Sequence, residues 1–105
     1  MVAVSAQPVS GDDRAVLAAC RAEIDALDTE LVRIIARRVY VVNRVVGLKR
    51  RHNIPALLPE RVEEVVAHVR EEAEAAGAPP DLAETVYRTM VNWIIDYEER
   101  QLASE

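Results

Sequence analysis

The first half of this sequence contains one uninterrupted run of mostly apolar residues that recur every three or four positions. No proline interrupts it, and Gly47 is its one glycine between Asp13 and about His52. The positions, all but one of them apolar, are Leu17, Cys20, Ile24, Leu27, Leu31, Ile34, Arg38, Val41, Val45 and Leu48. The pattern predicts one amphipathic helix of about 35 residues, roughly 52 Å long at the usual helical rise. We expect Asp12 or Asp13 to cap its start.

Two shorter helices are predicted after the long one. Residues 52–58 form a loop, and Pro59 opens a second helix that runs out at Gly77. Its apolar face consists of Val62, Val65, Val66 and Val69. Asp81 is expected to cap a third helix, whose apolar face consists of Tyr87, Val91, Ile94 and Leu102, widened by Met90 and Trp93. The sequence therefore predicts an all-α domain of three helices over residues 12–105, after a flexible N-terminal arm over residues 1–11.

Composition excludes several classes of protein. A chain of 105 residues has room for one domain, and 50% apolar with 30% charged residues is typical of a globular protein. No apolar run approaches the ~20 residues of a membrane span, and the N-terminus lacks the pattern of a signal peptide. Cys20 is the single cysteine, which favours a reducing cytoplasm, and the net charge of −5 argues against nucleic acid as a partner. We expect no metal and no cofactor, because no Cys/His cluster and no glycine-rich phosphate loop is present.

The length of the first helix predicts a homodimer. A compact chain of this size has a radius of gyration of about 13 Å, so a helix of this length extends beyond what its own chain can cover. Its apolar face continues nearly from end to end, and a soluble monomer rarely exposes such a surface. A two-fold dimer in which the long helices pair would cover it. The alternative is a helix broken near Arg37 and Arg38, folded back as a monomeric bundle.

Several charged residues stand where apolar ones are expected. Arg38 lies in the apolar run, and Lys49, eleven residues later, projects from nearly the same face with its Cα atom ~16 Å away. The two could bracket a small anion, whereas Arg21 lies about 100° off that face and would suit a neighbouring chain's site. Arg61 opens the second helix, and Glu98 lies on the apolar face of the third. Each also has a structural interpretation: Arg38 could pair with a carboxylate of the partner, and the others could be solvated surface residues.

Five segments give the chain a resemblance to a known family. They are Arg21–Asp28, Ala36–Arg38, Gly47–Lys49, Pro59–Arg61 and Val91–Glu98. Over roughly residues 14–102 the chain resembles the all-helical chorismate mutases, including the related isochorismate pyruvate-lyases. The resemblance implies an intertwined homodimer with two composite sites, and a role in aromatic amino acid biosynthesis by the shikimate pathway.

The resemblance also implies roles for individual residues. Arg21 would reach into the other subunit's site, while Arg38 and Lys49 would serve their own and hold the two carboxylates of a chorismate-like substrate. Lys49 would lie near the ether oxygen that becomes negative in the pericyclic rearrangement of chorismate to prephenate. The implied catalytic residues are Arg38, Lys49 and Glu98, and the implied substrate-binding residues are Arg21, Arg38, Lys49, Arg61, Val62 and Ile94.

Three positions depart from the family's usual pattern. Val62 replaces a glutamate, Ile94 replaces a small polar residue, and Glu98 replaces a glutamine. Because a carboxylate would repel a developing oxyanion, we expect Glu98 to work in its protonated form. Val62 also leaves open which ring is bound: chorismate, a 4-amino analogue, or isochorismate, which a lyase would convert to salicylate and pyruvate. A non-catalytic helical dimerisation module is the remaining alternative.

Overall fold

The structure, a computed structural model, describes residues 10–104 and contains three helices, α1 (Gly11–His52), α2 (Pro59–Ala76) and α3 (Pro80–Ala103). The predicted all-α class is confirmed, and the described residues include no strand. Residues 1–9, most of the predicted arm, lie outside the described range. The chain divides into two compact units, one ending at Val41 and the other beginning at Val42. Among the described residues, no helix combines the length and the apolar character that crossing a bilayer requires.

The start of α1 differs from the prediction. The Oγ atom of Ser10 accepts a hydrogen bond from the backbone N–H of Asp13 at 3.1 Å, and the Ser10 carbonyl accepts one from Arg14 at 2.9 Å. Ser10 therefore caps the helix, and the prediction of Asp12 or Asp13 as the cap was wrong. Both aspartates lie in the first turn, where their charge favours the positive end of the helix dipole.

In the first unit, the apolar run of α1 is exposed. Leu27 retains 58% of its accessible surface, and the same side of the helix exposes Leu17, Ile24, Leu31 and Ile34. Exposure of so many large apolar side chains in one row is unusual for a surface that faces water permanently.

The second unit contains the buried core. α2 and α3 pack antiparallel, since Glu63 pairs with Arg88 while Arg70 pairs with Asp81. The turn between them uses Gly77 at φ +80°, a conformation that glycine adopts without strain. The apolar core residues are Val46, Ala56, Val66, Val69, Ala73, Val91 and Ile94.

Two details of the prediction for the third helix were wrong. Trp93 was expected on the apolar face of α3 but is 56% exposed, its ring stacked on Tyr97 with centroids 5.6 Å apart. Asp81 is not the cap of α3, because Pro79 holds that position and Asp81 lies in the first turn, paired with Arg70.

A network of ion pairs joins α2 to α3. Arg88 contacts Glu63 through both terminal nitrogens at 2.9 and 3.0 Å, and contacts Glu84 at 2.7 Å. Arg70 contacts Glu84 at 2.8 Å and Asp81 at 3.0 Å. Hydrogen bonds from Arg88 lower the pKa of both Glu63 and Glu84 below the ordinary value of 4.5. The network fixes the pairing of the two helices along their length.

Candidate active site

One ion pair lies in the interior of the second unit. Lys49, near the end of α1, and Glu98, near the end of α3, approach to 2.9 Å between Nζ and Oε1. Their side chains keep only 10% and 9% of their exposed surface, and no other charged residue is buried in the described part of the chain. A buried ion pair costs desolvation energy that a hydrophobic pair would avoid, so its presence is weak evidence for stability and makes the pair a candidate functional site.

Lys49 is fixed by the loop that follows α1 as well as by Glu98. Its Nζ atom donates a hydrogen bond to the carbonyl of Ala56 at 2.9 Å, and its own carbonyl accepts one from Ile54 N–H at 2.9 Å. Asn53, at φ +53°, makes the left-handed turn that ends the helix. An ammonium has three N–H donors, and the hydrogen bond to Ala56 uses one of them, so donors remain for the oxygen of a ligand.

Glu98 contacts Lys49 at an oblique angle. Oε1 lies within ion-pair distance of Nζ, yet the approach does not meet the geometry of a hydrogen bond, and Oε1 is buried with no such partner among the described residues. The Coulombic attraction remains at 2.9 Å whatever the angle, so the contact is an ion pair. A buried carboxylate oxygen without a hydrogen-bond donor is costly, which is typical of sites that serve chemistry.

Neighbouring residues hold Glu98 in place. The hydroxyl of Tyr97, the preceding residue, donates to Asn43 Oδ1 at 2.6 Å and so joins α3 to α1 within the second unit. Ile94 is buried one turn before Glu98, and Val62 is half-buried on α2. Ile94 lowers the local dielectric around Glu98 and strengthens the field of a nearby cation.

A cavity opens beside Lys49. It has a volume of about 320 Å³ and is lined by Lys49, Arg50, Asn53, Ile54, Pro55 and Leu102. That volume is at the lower end of the range of small-molecule sites. The Arg50 guanidinium on its wall donates one of its five N–H groups to the carbonyl of Gln101, so both Arg50 and Lys49 keep donors for an anion.

The other residues predicted for the site are placed differently. Arg61 is exposed, its side chain retaining 68% of its surface, and it contacts Glu64 one turn later at 3.5 Å. Arg21 and Arg38 belong to the first unit, in which Arg21 is exposed and Arg38 half-buried. Of the predicted set, the structure thus brings together Lys49 and Glu98.

Two contributors to the site were missing from the sequence prediction. The Ala56 carbonyl is a backbone group, and no side-chain pattern identifies it. Asn53 could have been identified from the sequence, because asparagine directly after the last turn of a helix often takes the left-handed conformation that ends it.

The sequence is similar to known proteins over most of its length. Residues 20–99 match the model of the family described as chorismate mutase type II. The T-protein of Enterobacter agglomerans is 42% identical over 75 residues, which are 71% of this chain and 20% of that protein. The T-protein of Haemophilus influenzae is 43% identical over 68 residues, 65% of this chain and 18% of that protein. The 4-amino-4-deoxychorismate mutase of Streptomyces pristinaespiralis is 30% identical over 102 residues, 95% of this chain and 79% of that protein.

The two kinds of relative differ in how much of them is matched. The chain spans about a fifth of the length of the T-proteins, but most of the length of the Streptomyces enzyme. The family match itself covers the greater part of the chain, from the third turn of α1 to the last turns of α3, and includes both members of the buried ion pair. The chain belongs to the chorismate mutase type II family.

Proposed function

We propose that this chain is a chorismate mutase that converts chorismate, or its 4-amino analogue, by a pericyclic rearrangement to prephenate or the matching amino product. The observation that carries the proposal is the buried Lys49–Glu98 pair beside a cavity, in a chain of this family. The reaction breaks the ether C–O bond and forms a C–C bond within one molecule. It therefore requires a folded substrate and a stabilised oxygen, and it requires no nucleophile.

Lys49 would stabilise the developing charge. Its ammonium is held by Ala56 and Glu98 on a buried side chain, so its field acts in a medium of low dielectric. A millionfold acceleration corresponds to roughly 8 kcal/mol, which preorganised cations and positioning together can supply. The charge on the ether oxygen grows only in the transition state, so the interaction favours that state over the bound substrate.

Glu98 has to change its contact with Lys49 when a dianion binds. With the carboxylate charged and 2.9 Å from the ammonium, a substrate oxygen approaching the same nitrogen meets a second negative group. A proton on Glu98 removes this repulsion and turns the residue into a hydrogen-bond donor.

The arginines would hold the substrate's two carboxylates. Guanidinium groups bind carboxylates through two parallel hydrogen bonds, and the described chain offers Arg38 in the first unit and Arg61 at the start of α2. Arg61 would have to exchange Glu64 for the substrate, which is a small change because the contact between them is exposed and 3.5 Å long. Val62 and Ile94 would contact the ring.

A second copy of the chain would complete the site. The exposed apolar run of α1 offers a surface that a two-fold partner could cover with the same run of its own helix. Arg21 would then reach the partner's site, since it lies off the apolar run. The homodimer is thus part of the proposed function, because each site would draw cations from both chains.

The proposal is tested by incubating the purified chain with chorismate, with 4-amino-4-deoxychorismate and with isochorismate. We expect prephenate, or its amino counterpart, at a rate well above the uncatalysed one. The long match to the Streptomyces enzyme supports including the amino substrate. Salicylate and pyruvate from isochorismate alone would assign the lyase reaction instead. Turnover of none of the three would favour a dimerisation module without catalytic activity.

A further inference from the structure

Lys49 is hydrogen-bonded to the same loop at both its backbone and its side chain. The Lys49 carbonyl accepts from Ile54 N–H, and two residues later the Ala56 carbonyl accepts from Lys49 Nζ, each at 2.9 Å. The first bond ends helix α1, as expected for a chain that turns at a left-handed residue. The second has no such role, because it joins the loop to the far end of a long side chain.

The loop is built to hold the Ala56 carbonyl in one place. The left-handed backbone of Asn53 sets the direction in which the loop leaves α1, and Pro55 has a fixed φ. Ala56 is 93% buried and small, so its backbone can approach the ammonium closely. A loop on the surface would not need this degree of order at a single carbonyl.

The two partners of Lys49 contribute different things. Glu98 supplies charge, but its oblique approach gives the ammonium little direction. The Ala56 carbonyl accepts a hydrogen bond of defined direction, which restricts the Lys49 side chain and its four rotatable bonds. The position of the cation is therefore determined by the loop between α1 and α2 as much as by α1 itself.

We propose that the Ala56 carbonyl is a positioning group that aligns the Lys49 ammonium for the reaction. The inference rests on the proposed function, in which Lys49 stabilises the ether oxygen. It adds that the distance from this cation to the reacting atoms is set by the backbone of the loop. Weakening the carbonyl as an acceptor should then slow the chemical step more than it weakens substrate binding.

The test replaces the peptide bond between Ala56 and Leu57 with an ester in the full chain, made by chemical ligation. An ester keeps every side chain but makes the Ala56 carbonyl a weaker acceptor. The matched control is an ester between Leu57 and Leu58, where neither the Leu57 carbonyl nor the Leu58 N–H makes a hydrogen bond within the described part of the chain. Three readouts are compared: kcat and KM for chorismate, the rate at which an acylating reagent modifies Lys49, and the midpoint of thermal unfolding.

We expect the Ala56 ester to lower kcat about tenfold, with little change in KM, for the loss of most of one charge-assisted hydrogen bond. Lys49 should also be acylated several times faster than in the control, because its ammonium is held less firmly. In chains that carry Lys49→Met, the two esters should unfold at the same temperature, since the acceptor then has no ammonium to hold.

Two results would overturn the inference. One is equal acylation of Lys49 in the two esters, which would show that the carbonyl does not hold the amine. The other is faster acylation with an unchanged kcat, which would reduce the contact to a role in stability. An unmodified chain that fails to turn over chorismate would overturn the proposed function itself and with it any catalytic role of the loop, while the acylation rates would still decide whether Ala56 holds Lys49.

Discussion

Lys49 and Glu98 occupy interior positions that hydrophobic residues would fill at lower cost. Removing one partner of a buried pair leaves the other charge without compensation, whereas removing both leaves an apolar core. We expect Lys49→Met to lower the free energy of unfolding by about 3–5 kcal/mol and the double variant Lys49→Met/Glu98→Leu to recover most of it. Urea unfolding at matched protein concentration measures both. A double variant no more stable than the single one would show that the two side chains do not depend on each other.

The role of Glu98 can be tested separately from its packing. Glu98→Gln keeps the shape of the side chain and replaces the negative group beside Lys49 with a permanent N–H donor. Because the negative form repels the substrate's developing charge, kcat/KM of this variant should match or exceed that of the unmodified chain. A large fall in kcat/KM would show that the site needs the carboxylate instead.

At this scale, the sequence predicted which charged side chains lie on apolar helix faces better than it predicted what they contact. A lysine and a glutamate on apolar helix faces already indicated a site, and the structure buries both. Their pairing could not be predicted, because it depends on the rotation of α1, which buries Val46 and Lys49 and leaves Val45 and Leu48 exposed. A phase difference of one residue on a helix is about 100° and decides which partner a side chain meets.

At the scale of the elements, the packing of α2 against α3 is stabilised by ion pairs. Arg88 and Arg70 form them with Glu63, Glu84 and Asp81. Folding lowers the pKa of Glu63 and Glu84, so protonation favours the unfolded chain. Their contribution to stability is complete above the ordinary value of 4.5 and is lost as pH falls through the lower folded values. We expect the free energy of unfolding to decrease with falling pH below that value. Denaturant titrations at a series of pH values measure the slope.

Glu63→Gln tests the origin of this slope. It removes one of the two carboxyls that release protons on folding, so stability should depend less steeply on acid pH than in the unmodified chain. Glu64→Gln is the matched control, since Glu64 is exposed and contacts Arg61 at 3.5 Å. Equal slopes for the two variants would show that the Arg88 contacts do not control acid unfolding.

The helices were the most predictable part of the molecule, and their ends the least. The start of α2 at Pro59 and its end before Gly77 follow from residues with strong positional preferences. The first turns were harder, because Asp12, Asp13 and Asp81 are equally favourable as caps and as first-turn residues. Ser10 and Pro79 hold the capping positions in the structure.

At the scale of the whole molecule, the exposed apolar run of α1 predicts self-association. Leu27→Glu places a charge in the middle of this run, so sedimentation should show a monomer, or a dimer weakened by at least an order of magnitude. Val32→Glu is the control, because Val32 is 64% exposed but lies off the run. A monomeric unmodified chain, or equal effects of the two variants, would contradict pairing through this face.

The central claim is that cations from two chains meet around one dianionic substrate, and subunit complementation tests it most directly. Arg21→Ala and Lys49→Ala chains should each be inactive alone. After the two are mixed and allowed to exchange subunits, half of the dimers are mixed and one of their two sites is intact, so about a quarter of the unmodified activity should return. A mixture that forms mixed dimers but stays as inactive as its components would contradict a site shared between chains.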